Sequence, residues 1–285
     1  MASLRDIKIR IKSVQSTKKI TKAMEMIEAS KMRRAQLAAL KGRPYLKKLE
    51  EVIGDLVTYN EPKLKHAFLK RKKVVKNVGY IFMTSNRGFC GGFNSNVIRK
   101  MAEILRDEND KNETILTVGK KGRQAMERIG KAVMADFEKV PERATFLDTV
   151  GISRVVVDDF LNGKLDEVYI VYNHFYSSLS QRPVVKKLLP IEPSDMKTDG
   201  GKHDYIFEQD REKLLNELLH RYIETVVYQT VLESFASEHS ARMMAMKQAS
   251  DNASDIITNL TLHYNKARQA KITKEILEIV GGSTS

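Results

Sequence analysis

From Lys202 to Val280 the chain runs without a single glycine or proline. Within that stretch Leu232, Phe235, His239, Arg242, Met246, Ala249, Ala253, Ile256, Leu260, His263, Ala267, Ala270, Lys274 and Leu277 recur at alternating spacings of three and four. A heptad seam of this kind, mostly apolar, specifies one long helix packed along another helix. At ~1.5 Å per residue such a helix approaches ~100 Å, far more than a globular core requires. The expectation is a shaft.

The first sixty residues supply a partner for it. Ser3 with Asp6 three residues on has the form of a helix-start box, and Leu4, Ile7, Ile11 and Val14 follow at helical spacing. The apolar stripe is then expected to change phase to Ile20, Met24 and Ile27. Ala249, Ala253, Ala267 and Ala270 would let a second backbone approach closely, which suits pairing of the two chain ends in antiparallel fashion. Gly42 and Pro44 are candidate kink points, and Asn60-Glu61-Pro62 reads as the end of the first helix.

Between the helices, strand patterns at Val78 to Thr84, Thr114 to Val118, Ala132 to Phe137, Val168 to Phe175 and Val184 to Ile191 alternate with helical patterns at Ser95 to Arg106, Lys121 to Ile129 and Asp148 to Asn162. That alternation predicts a small α/β sheet. The polar stretch Pro193 to Gly201 reads as a linker. The expected organisation is an N-terminal shaft helix over 1–60, an α/β domain over 74–192 and a C-terminal shaft helix over 208–282 that pairs with the first.

The net charge is +13, and the first fifty residues hold fourteen Lys or Arg against four Asp or Glu. A basic helix of this kind suits a solvated surface, an acidic protein socket, anionic lipid or nucleic acid. A basic coiled-coil nucleic-acid binder is therefore the alternative reading. The single cysteine, Cys90, excludes an intramolecular disulfide, and no apolar run is long enough to span a bilayer. The basic N-terminus mimics a mitochondrial transit peptide, but its helical pattern continues past Arg34, so it reads as mature structure.

The loop SNRGFCGGFN, Ser85 to Asn94, lies between a strand and a helix and holds three glycines that could cradle a phosphate. It matches neither the dinucleotide fingerprint nor a P-loop, so a tight structural turn is expected, with Arg87 and Asn94 as candidate partner-facing residues. Cys90 reads as a packing residue and His239 and His263 as polar seam residues. No carboxylate pair, zinc motif or nucleophile triad stands out. No catalytic, metal or cofactor site is expected, so the chain does not read as an enzyme on its own. Near the C-terminus, Ile272, Ile276, Leu277, Ile279 and Val280 surround the helix, as if the tip enters an apolar socket.

Three segments carry a resemblance that covers nearly the whole chain: IKSVQSTKKITKAMEMIEASKMRRA, SNRGFCGGFN, and the run from SEHSARMMAMKQASDNA to NLTLHYNKARQAKITKEILEIVGG. In that order and spacing the chain resembles the γ subunits of F-type ATP synthases. The resemblance implies a long antiparallel coiled coil of the terminal helices with an inserted small α/β (Rossmann-like) domain. It implies a noncatalytic central-stalk rotor that couples ion-driven ring rotation to ATP synthesis or hydrolysis in the β subunits. The implied partners are the α and β subunits of the catalytic hexamer, the ε subunit and the c-subunit ring, with no direct nucleic acid and with membrane contact only through partners. Lys22, Met24, Arg242, Arg268, Gln269, Thr273 and Glu275 match positions tied in the family to coupling and partner contact, and Ile276, Leu277, Ile279 and Val280 match the bearing tip. Glu28 stands where that family's helix would be expected to carry a small or apolar side chain. The linker holds no cysteine, so redox control of the chloroplast kind is not implied. A start directly at the family helix points to a bacterial protein, peripheral on the cytoplasmic side of the inner membrane.

Overall fold

The computed structural model describes residues 3–59, 66–107, 110–192, 196 and 210–282. Helix α1 spans Leu4–Tyr59 and helix α5 spans Arg211–Gly282, and these two long helices pair antiparallel. The order of their contacts shows the direction, because Arg43 reaches Glu233 at 3.5 Å while Tyr45, further along α1, bonds to Arg221, further back on α5. The chain divides into two compact units, Met1–Ala29 with Arg242–Ser285, and Ser30–Ala241.

In the terminal unit, α1 opens with the expected reciprocal box. Asp6 N–H donates to Ser3 Oγ at 3.2 Å and Ser3 N–H donates to Asp6 Oδ2 at 3.1 Å, which satisfies two backbone donors that a helix start leaves unpaired. From there Leu4, Ile7, Ile11, Val14, Lys18, Thr21, Glu25 and Glu28 form a covered row in three-four alternation, with Met24 and Ala29 half-buried beside it. The expected change of phase does not occur. Ile20 and Ile27 stand 60% and 53% exposed, Met24 is only half-buried at the flank, and the seam instead accepts Thr21 and Glu28. Keeping phase avoids the local unwinding that a skip in the heptad would impose.

On α5 in this unit Arg242, Met246, Ser250 and Ala253 are buried, Met243, Met244, Ala245, Ala249 and Ser254 are half-buried beside them, and further on Ile257, Leu260, Tyr264 and Ala267 are half-buried. Met246, Ala253, Leu260 and Ala267 lie where the heptad reading puts them. In the intermediate row Arg242 is buried and Ala249 half-buried as expected, but beyond Ser250 the covered position falls one residue later, so Ile256, His263 and Ala270 are exposed. Seating Tyr264 in place of His263 covers an aromatic ring and leaves the imidazole in water. Beyond Ala267 the described side chains, through Ile279, are all exposed, Lys274 and Leu277 included.

In the second unit the sheet has strand order β3-β2-β1-β4-β5, with β1 Asn77–Met83, β2 Asn112–Val118, β3 Val133–Asp136, β4 Glu167–Ser177 and β5 Ser180–Leu189. The first four are parallel and β5 returns antiparallel to β4. The connecting helices are α2 Phe93–Asp107, α3 Lys120–Arg128 and α4 Phe146–Leu161, close to the ranges read from the sequence. β1 is buried on both faces, which explains its unbroken apolar run. Val78, Tyr80 and Phe82 pack with Val97, Met101 and Leu105 of α2 and Met126 of α3. Ile81 and Met83 face the other way, into a larger core with Ile152 and Val156 of α4, Leu49, Ile53 and Leu56 of α1, and Leu215, Leu219 and Ile223 of α5. The sheet is thereby built onto the helix pair, with Lys31 and Glu142 also joined at 2.7 Å.

Pro44 lies inside α1, which continues to Tyr59. Gly42 is there for close approach: a Cβ would sit 1.6 Å from Gln229 Nε2 of α5. The proposed stop at Asn60 to Pro62 and the linker from Pro193 to Gly201, apart from Met196, lie outside the described residues.

Candidate functional site

In parallel α/β sheets, ligands commonly bind beyond the carboxyl ends of the strands, where helix N-termini offer free amides. Here that place is filled by the chain itself. After β1, Thr84 Oγ1 accepts the Gly122 N–H at 2.7 Å, the Ser85 carbonyl accepts Lys121 N–H at 3.1 Å, and Asn86 Oδ1 accepts Lys120 N–H at 2.9 Å. The first amides of α3 are thus engaged by the Thr84-Ser85-Asn86 run. Gly119, at φ 99°, permits this contact, since a Cβ there would lie 2.3 Å from the Thr84 carbonyl oxygen.

The glycine loop closes on itself. Asn94 Nδ2 donates to Ser85 Oγ at 2.7 Å and to Cys90 Sγ at 3.2 Å, and its Oδ1 accepts the Ser85 N–H at 3.1 Å. Asn173 Nδ2 of β4 donates to the Phe93 carbonyl at 3.0 Å. Asn94 is therefore turned inward and does not face a partner; Arg87 remains at the surface, and Cys90 is a buried packing residue. Phe89, in a left-handed conformation at φ 59°, leaves its ring in solvent. A cavity of about 320 Å³ lies beside this loop, but its lining mixes Lys31 and Arg87 with Glu138, Glu142 and Glu238, so it has no uniform charge to select an anion. Among the described residues no three His, Cys, Asp or Glu groups are placed to hold a metal ion, and no helix is long and apolar enough to cross a membrane.

The residues singled out on the helices divide into two kinds. Lys22 is exposed and pairs with Glu25 at 3.0 Å. Arg268 and Gln269 are exposed, Thr273 Oγ1 donates back to the Gln269 carbonyl at 2.9 Å, and Glu275 pairs with Lys271 at 3.4 Å. Ile276, Leu277 and Ile279 are 55%, 65% and 72% exposed, an apolar surface open to an occupant; the side chain of Val280 lies outside the described residues. Arg242 differs from all of these. Its guanidinium is buried in the helix pair and sits 3.4 Å from the equally buried Glu28 carboxylate. That pairing joins positions 214 apart and has no local sequence signal. His239 is likewise buried, its ring centroid 6.5 Å from that of Phe235.

The carboxyl end of the sheet is thus closed by its own loop, and the terminal helix unit separately exposes polar and apolar side chains. The family model described as ATP synthase matches residues 3–285. The ATP synthase gamma chain of Polynucleobacter asymbioticus is 44% identical over 290 residues, covering 100% of both chains. That of Pelotomaculum thermopropionicum is 46% identical over 285 residues, covering 100% of this chain and 99% of its own. Among solved structures, a chain of the Tetrahymena thermophila mitochondrial ATP synthase central stalk and c-ring matches with TM-score 0.63 and 26% identity, over 81% of this chain and 99% of that one. A chain of the Euglena gracilis mitochondrial ATP synthase shares the fold at TM-score 0.68 and 21% identity, over 99% of this chain and 93% of that one. The chain belongs to the ATP synthase gamma chain family.

Proposed function

We propose that this chain is the noncatalytic central-stalk rotor of an F-type ATP synthase, turning inside a hexamer of alternating α and β subunits and joined to an ε subunit and a c-subunit ring. Ion flow turns the ring, and the shaft turns with it. Each angular position favours different conformations of the β catalytic sites, so distant sites are coupled through the differential affinity of one rotor for several states. ATP chemistry resides in β. The chain meets the membrane through its complex, on the cytoplasmic side of a bacterial inner membrane. The observation that carries this reading is the match of residues 3–285, which spans both long helices and the sheet.

The segments 1–60, 74–192 and 208–282 divide the work into shaft, foot and shaft. Lys22, Met24, Arg268, Gln269, Thr273 and Glu275 offer the hexamer polar and flexible contacts that can be exchanged during rotation. Ile276, Leu277, Ile279 and Val280 form the bearing tip. The basic coiled-coil nucleic-acid reading has no support, because the packed seam and the family account for the basic helix. Reconstitution of α and β with and without this chain, with ATP-driven ion pumping as the readout in membranes containing ε and the ring, tests the assignment. Pumping that requires the chain supports it; pumping that proceeds equally well without the chain refutes it.

A further inference from the structure

A charged pair with both side chains buried lies within the helix pair of the terminal unit. Glu28 and Arg242 occupy facing seam positions in the terminal unit, with side chains 9% and 5% exposed and Oε2 to NH1 at 3.4 Å. Met246 is buried one turn along α5, and Thr21, one heptad before Glu28, turns its hydroxyl to the Thr17 and Lys18 carbonyls of its own helix. An Arg or a Glu alone in such a seam would be strongly destabilising, whereas the two together are tolerated and specify which residues stand opposite each other. A guanidinium held this way also cannot sweep across successive partners as an exposed one can.

We infer that Glu28 is a positioning residue for Arg242, holding its guanidinium inside the shaft, and that Arg242 contributes to coupling by fixing the register of the two helices and not by touching the surrounding subunits. The inference rests on the rotor reading above and assigns the mechanical role of one of its residues. The pair acts as a pin: it resists sliding of one helix along the other when torque is transmitted, because any slip separates two buried opposite charges. Exposed pairs on the same helices, such as Lys271 with Glu275, can break into water at little cost and cannot serve this purpose.

The test uses the full chain and its reconstituted complex, with three variants: Glu28→Ala, Glu28→Gln, and the double variant Glu28→Ala with Arg242→Met. Thermal melting of the chain and ions pumped per ATP hydrolysed by the complex are measured for each. Glu28→Ala, which removes this cross-helix carboxylate from the guanidinium, is expected to lower the melting midpoint by several degrees and to cut the pumping ratio by more than half. Glu28→Gln, which keeps a hydrogen-bond acceptor without the charge, falls between it and wild type. The double variant, with an apolar seam, is expected to recover both properties, because register is restored without the pair.

A double variant that recovers melting but pumps as poorly as Glu28→Ala would show that Arg242 acts on another subunit, and would overturn the inference. So would a Glu28→Ala chain that melts and pumps like wild type. Failure of the rotor reading is a separate result: the wild-type chain would then not support pumping at all, while the melting series would still report the pair.

Discussion

Asp166 shows how a single side chain secures the sheet. It sits just before β4, where its Oδ2 accepts the backbone N–H groups of Lys76 and Asn77 at 2.8 Å each, and its Oδ1 takes the Lys72 ammonium. Burial pushes its carboxyl pKa up, but the Lys72 hydrogen bond and the two backbone donors outweigh burial and hold it below the ordinary value. A carboxylate whose folded pKa is depressed contributes fully above its unfolded value of about 3.9 and loses that contribution as pH falls through the folded value. Asp166→Ala is expected to cost about 2 kcal/mol at neutral pH, since two backbone donors lose their acceptor. The difference in melting between wild type and variant should shrink as pH drops below about 4. A gap that stays constant down to low pH would remove the ionised carboxylate from the explanation. Such contacts, like Glu28 with Arg242 or Asn94 with Ser85, were hidden in the sequence because each depends on which distant segment the fold brings alongside.

At the scale of elements, period and punctuation carried more information. The expected strand Val78 to Thr84 is Asn77–Met83, and the expected helix Lys121 to Ile129 is Lys120–Arg128. α4 starts earlier than Asp148, at Phe146, because Thr145 and Asp148 form a capping box whose pattern lies just upstream of the apolar run. The long helices were legible, but the side of the seam was not. Repeats of seven define Met246, Ala253, Leu260 and Ala267, while the intermediate row is chosen by where the partner helix lies, and Ser250, Ile257 and Tyr264 occupy it. Likewise Ile20 and Ile27 look like seam residues until Glu28 is seen to be neutralised across the pair. Ala253 belongs to the row that both readings share and is buried, so Ala253→Trp should force the helices apart and cost ~1–3 kcal/mol or more. Thermal melting measures this directly; an unchanged midpoint, with assembly intact, would mean the helices are not close-packed there.

For the whole molecule, the expected division of labour is between packed seams that carry load and exposed surfaces that meet other subunits. The tip illustrates the second. Apolar side chains can slide within an apolar collar without breaking directional bonds, so loss of one methyl-bearing side chain there should be tolerated. Changing Ile276 and Ile279 together to Asp would bury two unpaired charges in that collar, and the yield of assembled complex should fall while the chain alone melts as before. Normal assembly by the Asp pair would show that the tip turns in water.

The central claim, that this chain turns, can be observed. Cys90 is buried and is the only cysteine, so Leu147→Cys at a strongly exposed position supplies a unique handle for a bead on the reconstituted complex. With the α and β subunits fixed to a surface and ATP supplied, the bead should rotate stepwise in one direction and stop when ATP is exhausted. A bead that stays still while the same complexes hydrolyse ATP at full rate would contradict the account.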